Sequence, residues 1–194
     1  MSLTIIFGSM FSGKTTELIR RINRFQSIQK RVLIINNRLD DRYSGDDAIV
    51  SHDEYKFNCV KCKNLHEIDS KMRIQADVDV IAIDEGQFFP DLKKYVLKFV
   101  EQYGKDVIVA GLIGDYEREK FGSIIDLFNY SDNIVHLKSL CTNCKDGTLG
   151  IFTKKIFTKR MVLEMLGDQI EVGSKEKYIA LCRKCYLDEG TDSD

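Results

Sequence analysis

Short, unbroken apolar runs alternate with amphipathic stretches along much of the chain. Each run predicts a strand that is buried on both faces, and the runs lie at Leu3–Phe7, Val32–Ile35, Val78–Ile83 and Val107–Gly111. Between them, Thr16–Gln29 and Asp91–Tyr103 carry apolar residues at helical spacing, which predicts helices with one buried face. Strands that alternate with helices indicate an α/β fold in which helices cover both faces of a parallel sheet. Ligands of such sheets bind beyond the carboxyl ends of the strands.

A glycine-rich segment follows the first predicted strand and opens the first predicted helix. It fits the pattern G-x-x-x-x-G-K-[ST] and consists of Gly8, Ser9, Met10, Phe11, Ser12, Gly13, Lys14 and Thr15. Backbone N–H groups of such a loop cradle phosphates, and a glycine lets the backbone approach them closely. We therefore expect Lys14 to reach the β- and γ-phosphates of ATP and Thr15 to ligate Mg²⁺. A plain glycine turn with an exposed lysine would not explain the strand before it and the helix after it.

Two acids, Asp84 and Glu85, end the third apolar run. An acid at this place downstream of a phosphate loop typically holds Mg²⁺, so we assign that role to Asp84. Glu85 stands beside it, where a carboxylate can accept a proton from a nucleophile. A water nucleophile would make the protein an ATPase, and a substrate alcohol would make it a small-molecule kinase. The pair by itself leaves both open.

Two Cys-x-x-Cys pairs lie after Lys138 and offer four thiolates to one tetrahedral Zn²⁺: Cys141, Cys144, Cys182 and Cys185. Four protein ligands close the site, so this zinc would fold the chain around it and take no part in chemistry. A third pair, Cys59 and Cys62, has His52 and His66 nearby as possible partners. We favour two unliganded thiols on a surface segment there over a second metal site.

Composition limits the partners more than it limits the fold. Acids (30) and bases (29) nearly cancel over 194 residues, and no basic stripe or membrane-length apolar run occurs, so neither nucleic acid nor a membrane is expected as a partner. The N-terminus lacks the features of a signal peptide, which favours a cytoplasmic protein. No internal repeats are evident. We expect a phosphate-loop α/β domain at 1–138, a zinc-binding domain at 139–187 and a disordered acidic tail at 188–194.

Several motifs resemble the zinc-containing thymidine kinases of cellular and large-viral type, and they extend over almost the whole chain. They are Gly8–Glu17, Asp40–Ser44, Ser51–Asp53, Ile83–Asp91, Phe121-Gly122 and Tyr178–Tyr186. The resemblance implies a P-loop NTPase fold with a RecA-like parallel sheet and a small zinc-ribbon-like domain that carries a substrate-covering loop. It also implies ATP with Mg²⁺, a structural Zn²⁺, feedback inhibition by dTTP and a homotetramer.

The same resemblance implies roles for single residues. Glu85 would be the general base on the 5′-hydroxyl of thymidine, Arg42 and Lys14 would neutralise the transferring phosphoryl group, and Asp40 would support the ATP site. The substrate-binding residues would be Phe88, Leu112, Tyr116, Thr158 and Tyr178. Thr158 is preferred to Thr153 for the family's Thr-x-Arg motif because only Thr158 is followed by an Arg at the required spacing.

The chain departs from the family at three places. Ile113 stands where an acid is common, Tyr116 stands where Phe is common, and the segment between Cys144 and Cys182 is longer than is typical. Two other functions stay open at this point: a P-loop ATPase with a zinc ribbon that acts on nucleic acid, and a nucleotide-binding protein whose site is silent.

Overall fold

The structure is a computed structural model that describes residues 1–38, 48–50, 56–71, 74–156 and 178–188. In chain order, its strands are β1 (Ser2–Gly8), β2 (Val32–Asn37), β3 (Ala48–Val50), β4 (Lys56–Asn58), β5 (Val60–Cys62), β6 (Val80–Ile83), β7 (Asp106–Gly111), β8 (Asn133–Leu137), β9 (Ser139–Leu140), β10 (Leu149–Gly150), β11 (Phe152–Lys155) and β12 (Tyr178–Leu181). The α-helices are α1 (Lys14–Ser27), α2 (Leu65–Lys71), α3 (Ile74–Asp77), α4 (Leu92–Leu97) and α5 (Arg183–Leu187). Short 3₁₀ helices occupy Gly86–Phe88 and Ile125–Tyr130, and a π-type turn at Lys98–Gln102 continues α4.

Six parallel strands form one sheet in the order β5-β2-β6-β7-β1-β8. From β1 the chain passes to β2 and then to β5 at one edge of the sheet. It then returns to β6 and continues through β7 to β8 at the other edge. β1 lies between β7 and β8, where Ile5 pairs with Val109 on one side and with Ile134 on the other. The phosphate loop thus leaves from inside the sheet and not from its edge.

Side chains alternate between two buried layers, one on each face of the sheet. Ile5 belongs to the layer that includes Phe99 from the turn after α4, and Ile6 belongs to the layer that includes Leu18 from α1. Period-2 alternation with both faces buried explains why these strands read as continuous apolar runs. The predicted parallel α/β fold with helices on both faces is confirmed.

The predicted helices and four of the sheet strands are present with small shifts at their ends. The helix expected at Thr16–Gln29 begins two residues earlier, at Lys14, directly after the glycine of the loop. The stretch Asp91–Tyr103 forms α4 and the π-type turn, and it ends before Gly104, whose φ of +66° suits glycine. None of the helices that the structure describes is both long and apolar enough to cross a membrane.

Two strands of the main sheet were not predicted. β5 has only three residues and alternates apolar with lysine, and β8 is an edge strand with mostly exposed side chains. Neither forms the apolar run from which the inner strands were recognised. Both lie at the edges of the sheet, where one neighbour suffices to define a strand.

The part of the chain after β8 pairs with itself. β9 pairs with β10 and β11 with β12, both antiparallel, and α5 follows β12. We call Ser139–Lys155 together with Tyr178–Leu187 the cysteine unit, because it holds the two Cys-x-x-Cys pairs. It lies against the phosphate loop, since Ser9 Oγ donates to the carbonyl of Gly150 at 2.8 Å.

Candidate active site

The phosphate loop joins β1 to α1 with the geometry that its sequence predicts. Gly13 has a φ of +82°, a left-handed conformation that favours glycine, and it lies immediately before the first residue of α1. Lys14 Nζ donates to the carbonyl of Ser9 at 2.9 Å, so the lysine folds back across the loop. Ser12 Oγ is buried and has no hydrogen-bond partner among the described residues. An unsatisfied hydroxyl within a loop of N–H donors fits a site for phosphate oxygens.

The two candidate Mg²⁺ ligands are in direct contact. The hydroxyl of Thr15, at the start of α1, donates to Asp84 Oδ2 at 3.0 Å, and Asp84 is 4% exposed just after β6. These residues are 69 positions apart in sequence and meet because β1 and β6 both end at the same edge of the sheet. Oxygen ligands of this kind suit Mg²⁺.

Glu85 lies beside this pair and is held from two sides. Its backbone N–H donates to Asp84 Oδ1 at 3.0 Å, and its Oε2 accepts from Gln87 Nε2 at 2.5 Å. Its φ of +49° is uncommon for a residue with a side chain, so the surrounding contacts impose a strained conformation on it. Such strain clusters at functional sites, which agrees with the catalytic role predicted for Glu85.

Gln87 is a buried site residue that the sequence interpretation did not single out. Its Nε2 donates to Glu85 and its Oε1 accepts from the backbone N–H of Leu112 at 2.9 Å. A carboxylate only accepts and an N–H only donates, so this pair of partners defines the orientation of the amide. Gln87 lies within the motif IDEGQFFPD, two residues after Glu85. That position in the sequence could have identified it as a site residue.

The aromatic residues predicted for the substrate pocket fall into two separate pairs. Phe88 packs edge-on against Phe121, with ring centroids 5.5 Å apart. Tyr116 lies 6.5 Å from Tyr178, and its carbonyl accepts from the hydroxyl of Tyr186 at 2.7 Å. The second pair thereby joins the loop after β7 to the cysteine unit, while Leu112 is joined to Glu85 through Gln87.

The four cysteines of the two late pairs converge on one point. The four sulfur atoms of Cys141, Cys144, Cys182 and Cys185 all lie within 4.8 Å of one another. Cys144 Sγ lies 3.8 Å from Cys182 Sγ and 3.5 Å from Cys185 Sγ. Tetrahedral zinc with Zn–S bonds of about 2.3 Å separates its sulfurs by roughly 3.8 Å, so the donor set and spacing fit Zn²⁺.

The thiols of this cluster differ in their ease of ionisation. Burial opposes ionisation of Cys141, but hydrogen bonds from the backbone N–H groups of Cys182, Cys144 and Asn143 outweigh it and lower the pKa of Cys141 to about 6. Hydrogen bonding to Cys144 and Cys182 raises the pKa of Cys185 to about 12. A metal ligand must be a thiolate, so the N–H groups that favour the Cys141 thiolate also favour metal binding at this cluster.

The third cysteine pair is buried, and its predicted surface location is wrong. Cys59 is 6% and Cys62 is 1% exposed, because Cys59, just before β5, and Cys62, at its end, each pack into one of the two layers of the core. Burial, followed by the nearby Glu67, raises the pKa of Cys62 to about 12, which keeps this thiol protonated. The only cluster of metal-binding groups among the described residues is the four-cysteine one, and the ring of His66 lies against Tyr95.

Comparison with known proteins decides the family. A family model described as thymidine kinase matches residues 1–186. The chain belongs to the thymidine kinase family. It is 39% identical to thymidine kinase 1 of Dictyostelium discoideum over 188 residues, which cover 95% of this chain and 77% of the relative. The thymidine kinase of Choristoneura fumiferana entomopoxvirus is 37% identical over 98% of this chain and 99% of its own, and the cytosolic thymidine kinase of Cricetulus griseus is 38% identical over 95% and 73%.

Among solved structures, the likeness is more remote. Domain III of the Thermotoga maritima replication initiation protein DnaA gives a TM-score of 0.42 at 14% identity, covering 70% of this chain and 54% of that chain. A likeness at this level carries no functional argument. The family assignment rests on the sequence relatives.

Three residues predicted from the family resemblance lie outside the described residues: Asp40, Arg42 and Thr158. The alternative threonine is described. Thr153 lies in β11, is 7% exposed, and its Oγ1 accepts from the backbone N–H of Met10 at 3.0 Å. Thr153 is therefore already engaged with the phosphate loop.

Proposed function

We propose that the protein is an ATP-dependent thymidine kinase that transfers the γ-phosphoryl group of ATP to the 5′-hydroxyl of thymidine. The product would be dTMP, made by salvage for DNA synthesis, and deoxyuridine would be a second substrate. The observation that carries the proposal is the family match over residues 1–186. The contact between Thr15 and Asp84 beside Glu85 supports it, because it assembles a metal site and a carboxylate at one edge of the sheet.

Phosphoryl transfer to an alcohol requires in-line placement, neutralisation of charge and removal of a proton. Lys14 and Arg42 would neutralise charge on the transferring group, with Asp40 in support of the ATP site. Mg²⁺, when bound by Thr15 and Asp84, supplies further charge neutralisation on the phosphates. Glu85 accepts the proton of the 5′-hydroxyl, and Gln87, which donates to its Oε2, orients the carboxylate.

The pocket must also exclude water, which would otherwise take the phosphoryl group in place of the nucleoside. Phe88, Leu112, Tyr116 and Tyr178 would enclose the thymine, and Thr158 would belong to the loop that covers it. Tyr116 and Tyr178 are already paired, which supports a pocket closed partly by the cysteine unit. Four cysteines with tetrahedral spacing support a structural Zn²⁺ that anchors this unit.

The remaining features follow the family resemblance. We expect feedback inhibition by dTTP, a homotetramer and a cytoplasmic location. We also keep the division into a phosphate-loop domain at 1–138, a zinc-binding domain at 139–187 and an acidic tail at 188–194. β8 ends at Leu137 and β9 begins at Ser139, so the proposed boundary falls between two sheets.

A coupled assay of ATP consumption tests the function. The purified protein is incubated with Mg-ATP and thymidine, with Mg-ATP and single-stranded DNA, and with Mg-ATP alone. We expect rapid turnover with thymidine only. Turnover stimulated by DNA would indicate the nucleic-acid ATPase, and no turnover in any arm would indicate a silent nucleotide site.

Nucleoside preference tests the pocket separately. A loop backbone that donates to a thymine carbonyl and accepts from its ring N–H would be mispaired with cytosine at both positions. Two mispaired buried groups cost about 1–3 kcal/mol each, so we expect thymidine to exceed deoxycytidine by roughly 10²–10⁴-fold in kcat/KM. Deoxyuridine should remain a substrate because it loses only the methyl contact. A deoxycytidine value equal to that of thymidine would contradict the pocket assignment while leaving the phosphoryl-transfer site intact.

A further inference from the structure

Two hydrogen bonds join the phosphate loop to the cysteine unit, although the residues are far apart in sequence. Ser9 Oγ donates to the carbonyl of Gly150 at 2.8 Å, and the N–H of Met10 donates to Thr153 Oγ1 at 3.0 Å. The pairs are separated by 141 and 143 positions. Ser9 is 5% and Thr153 is 7% exposed, so water competes little for either bond. We call these two bonds the clasp.

The clasp acts on the part of the loop that holds Lys14. The carbonyl of Ser9 accepts from Lys14 Nζ, while the side chain of Ser9 and the next N–H of the backbone are both taken by the cysteine unit. The peptide between Ser9 and Met10 is thus held on both sides. Preorganised backbone lowers the entropy cost of binding a ligand, and a phosphate loop binds through backbone groups.

From the clasp, an unbroken series of backbone contacts leads to the cysteines. β11, which contains Thr153, pairs along its whole length with β12, and β12 ends one residue before Cys182. The N–H of Ile151 donates to the carbonyl of Leu181 at 3.0 Å. The N–H of Cys141 donates at 2.7 Å to the carbonyl of Thr148, the residue just before β10. A change in how the four cysteines are held therefore reaches β11 through backbone hydrogen bonds.

We propose that Ser9 and Thr153 are positioning residues through which metal at the four cysteines holds the phosphate loop in its nucleotide-binding conformation. Loss of the metal or of the clasp then weakens nucleotide binding. The effect of the metal is indirect, because it reaches the phosphate loop through the clasp. The inference rests on the proposed nucleotide site, and it adds that the zinc-binding part of the chain controls the affinity of that site.

A short tandem repeat in the sequence affects how this is tested, and the expectation of no internal repeats is wrong here. Residues 151–155 read IFTKK and residues 156–160 read IFTKR. A slip of β11 by five residues would present Thr158 with the neighbours that Thr153 now has. A Thr153→Val protein is therefore compared with the double variant Thr153→Val/Thr158→Val, so that rescue by the second copy is visible.

The test measures the dissociation constant of Mg-ADP for the metal-loaded full chain by calorimetry, together with zinc content and thermal unfolding. We expect Thr153→Val/Thr158→Val and Ser9→Ala each to weaken Mg-ADP binding by roughly 3- to 10-fold, the scale of one lost buried hydrogen bond. Thr153→Ser keeps the hydroxyl and should bind Mg-ADP as the unaltered protein does. Ser131→Ala removes a side-chain bond that involves neither the phosphate loop nor the cysteine unit, from Ser131 Oγ to the carbonyl of Phe128, and should also bind normally.

Removal of the metal by a chelator should weaken Mg-ADP binding in the unaltered protein and have a smaller further effect in Ser9→Ala, because the clasp is already broken there. If a Thr153 variant loses zinc or unfolds, the Mg-ADP affinity of Ser9→Ala tests the proposal instead, because Ser9 lies in the phosphate loop and not in the cysteine unit. Unchanged Mg-ADP affinity in zinc-loaded Ser9→Ala would overturn the proposal. Failure of the unaltered protein to bind Mg-ADP would instead overturn the proposed function.

Discussion

Glu85 shows at the scale of one residue how the site combines strain with support. Its left-handed backbone is uncommon for a glutamate, and hydrogen bonds from its own N–H to Asp84 and from Gln87 hold it there. The substitution Glu85→Gln keeps the size of the side chain but removes its ability to accept a proton. We expect kcat to fall by roughly 10²–10⁴-fold while ATP affinity is largely retained. Near-normal turnover in steady-state assays would remove Glu85 from the mechanism.

Gln87 offers a second prediction at this scale, about placement of the base. Gln87→Met keeps the volume and loses both the bond to Glu85 and the bond to Leu112. Gln87→Glu retains an acceptor for Leu112 but sets a second carboxylate beside Glu85. We expect both variants to lower kcat by about 10- to 100-fold, the scale of a hydrogen bond to a charged group, with the KM for ATP little changed. An unchanged kcat for Gln87→Met would show that Glu85 does not depend on Gln87.

Helix α1 carries a prediction about stability at the scale of one element. Glu17, in its first turn, accepts from Arg20 at 2.6 Å and from Arg21 at 2.7 Å. The hydrogen bond from Arg20 is the main reason that the pKa of Glu17 falls from 4.5 to about 2. A depressed pKa means that the ionised form is favoured by folding. Its stabilisation is therefore complete above the unfolded pKa and is lost as the pH falls from 4.5 towards 2.

We expect Glu17→Gln to lower the free energy of unfolding by about 0.5–1 kcal/mol at neutral pH, since Arg20 is half exposed and solvent weakens the pair. Urea unfolding measured at decreasing pH should show this difference narrowing below about pH 4.5. Glu101→Gln is the matched control, because Glu101 is exposed and forms no ion pair with a described residue. A difference that stays constant with pH would mean that the Glu17 charge is not the cause.

At the scale of the whole molecule, the cysteine unit contacts the phosphate loop of the main sheet. The prediction at this scale concerns the zinc content of the purified protein. Elemental analysis should find about one Zn²⁺ per chain, held by Cys141, Cys144, Cys182 and Cys185. Because the metal binds the folded form, chelation should lower the temperature of thermal unfolding and expose thiols to a titrating reagent. A content near zero would contradict the zinc assignment. A content near two would point to Cys59 and Cys62 as a second site.

Much of the fold and part of the site follow from the sequence because they depend on local periodicity. The inner strands are buried on both faces and are therefore apolar throughout, and α1 and α4 each have one apolar face. The phosphate loop is equally local, since Gly13 and Lys14 act through positions next to them in the chain. The paired spacing of the four late cysteines was enough to predict that they meet.

Only the tertiary structure decides what depends on the register and order of the strands. The contact of Thr15 with Asp84, the link from Gln87 to Leu112, and the clasp from Ser9 to Gly150 join residues 25 to 141 positions apart. No local pattern encodes such contacts. The first two arise because parallel strands bring their carboxyl ends to one edge, and the third arises because the cysteine unit lies against the phosphate loop. The burial of Cys59 and Cys62 was also missed. β5 is too short to show a period, and its burial comes from the core that β2 and α2 bring against it.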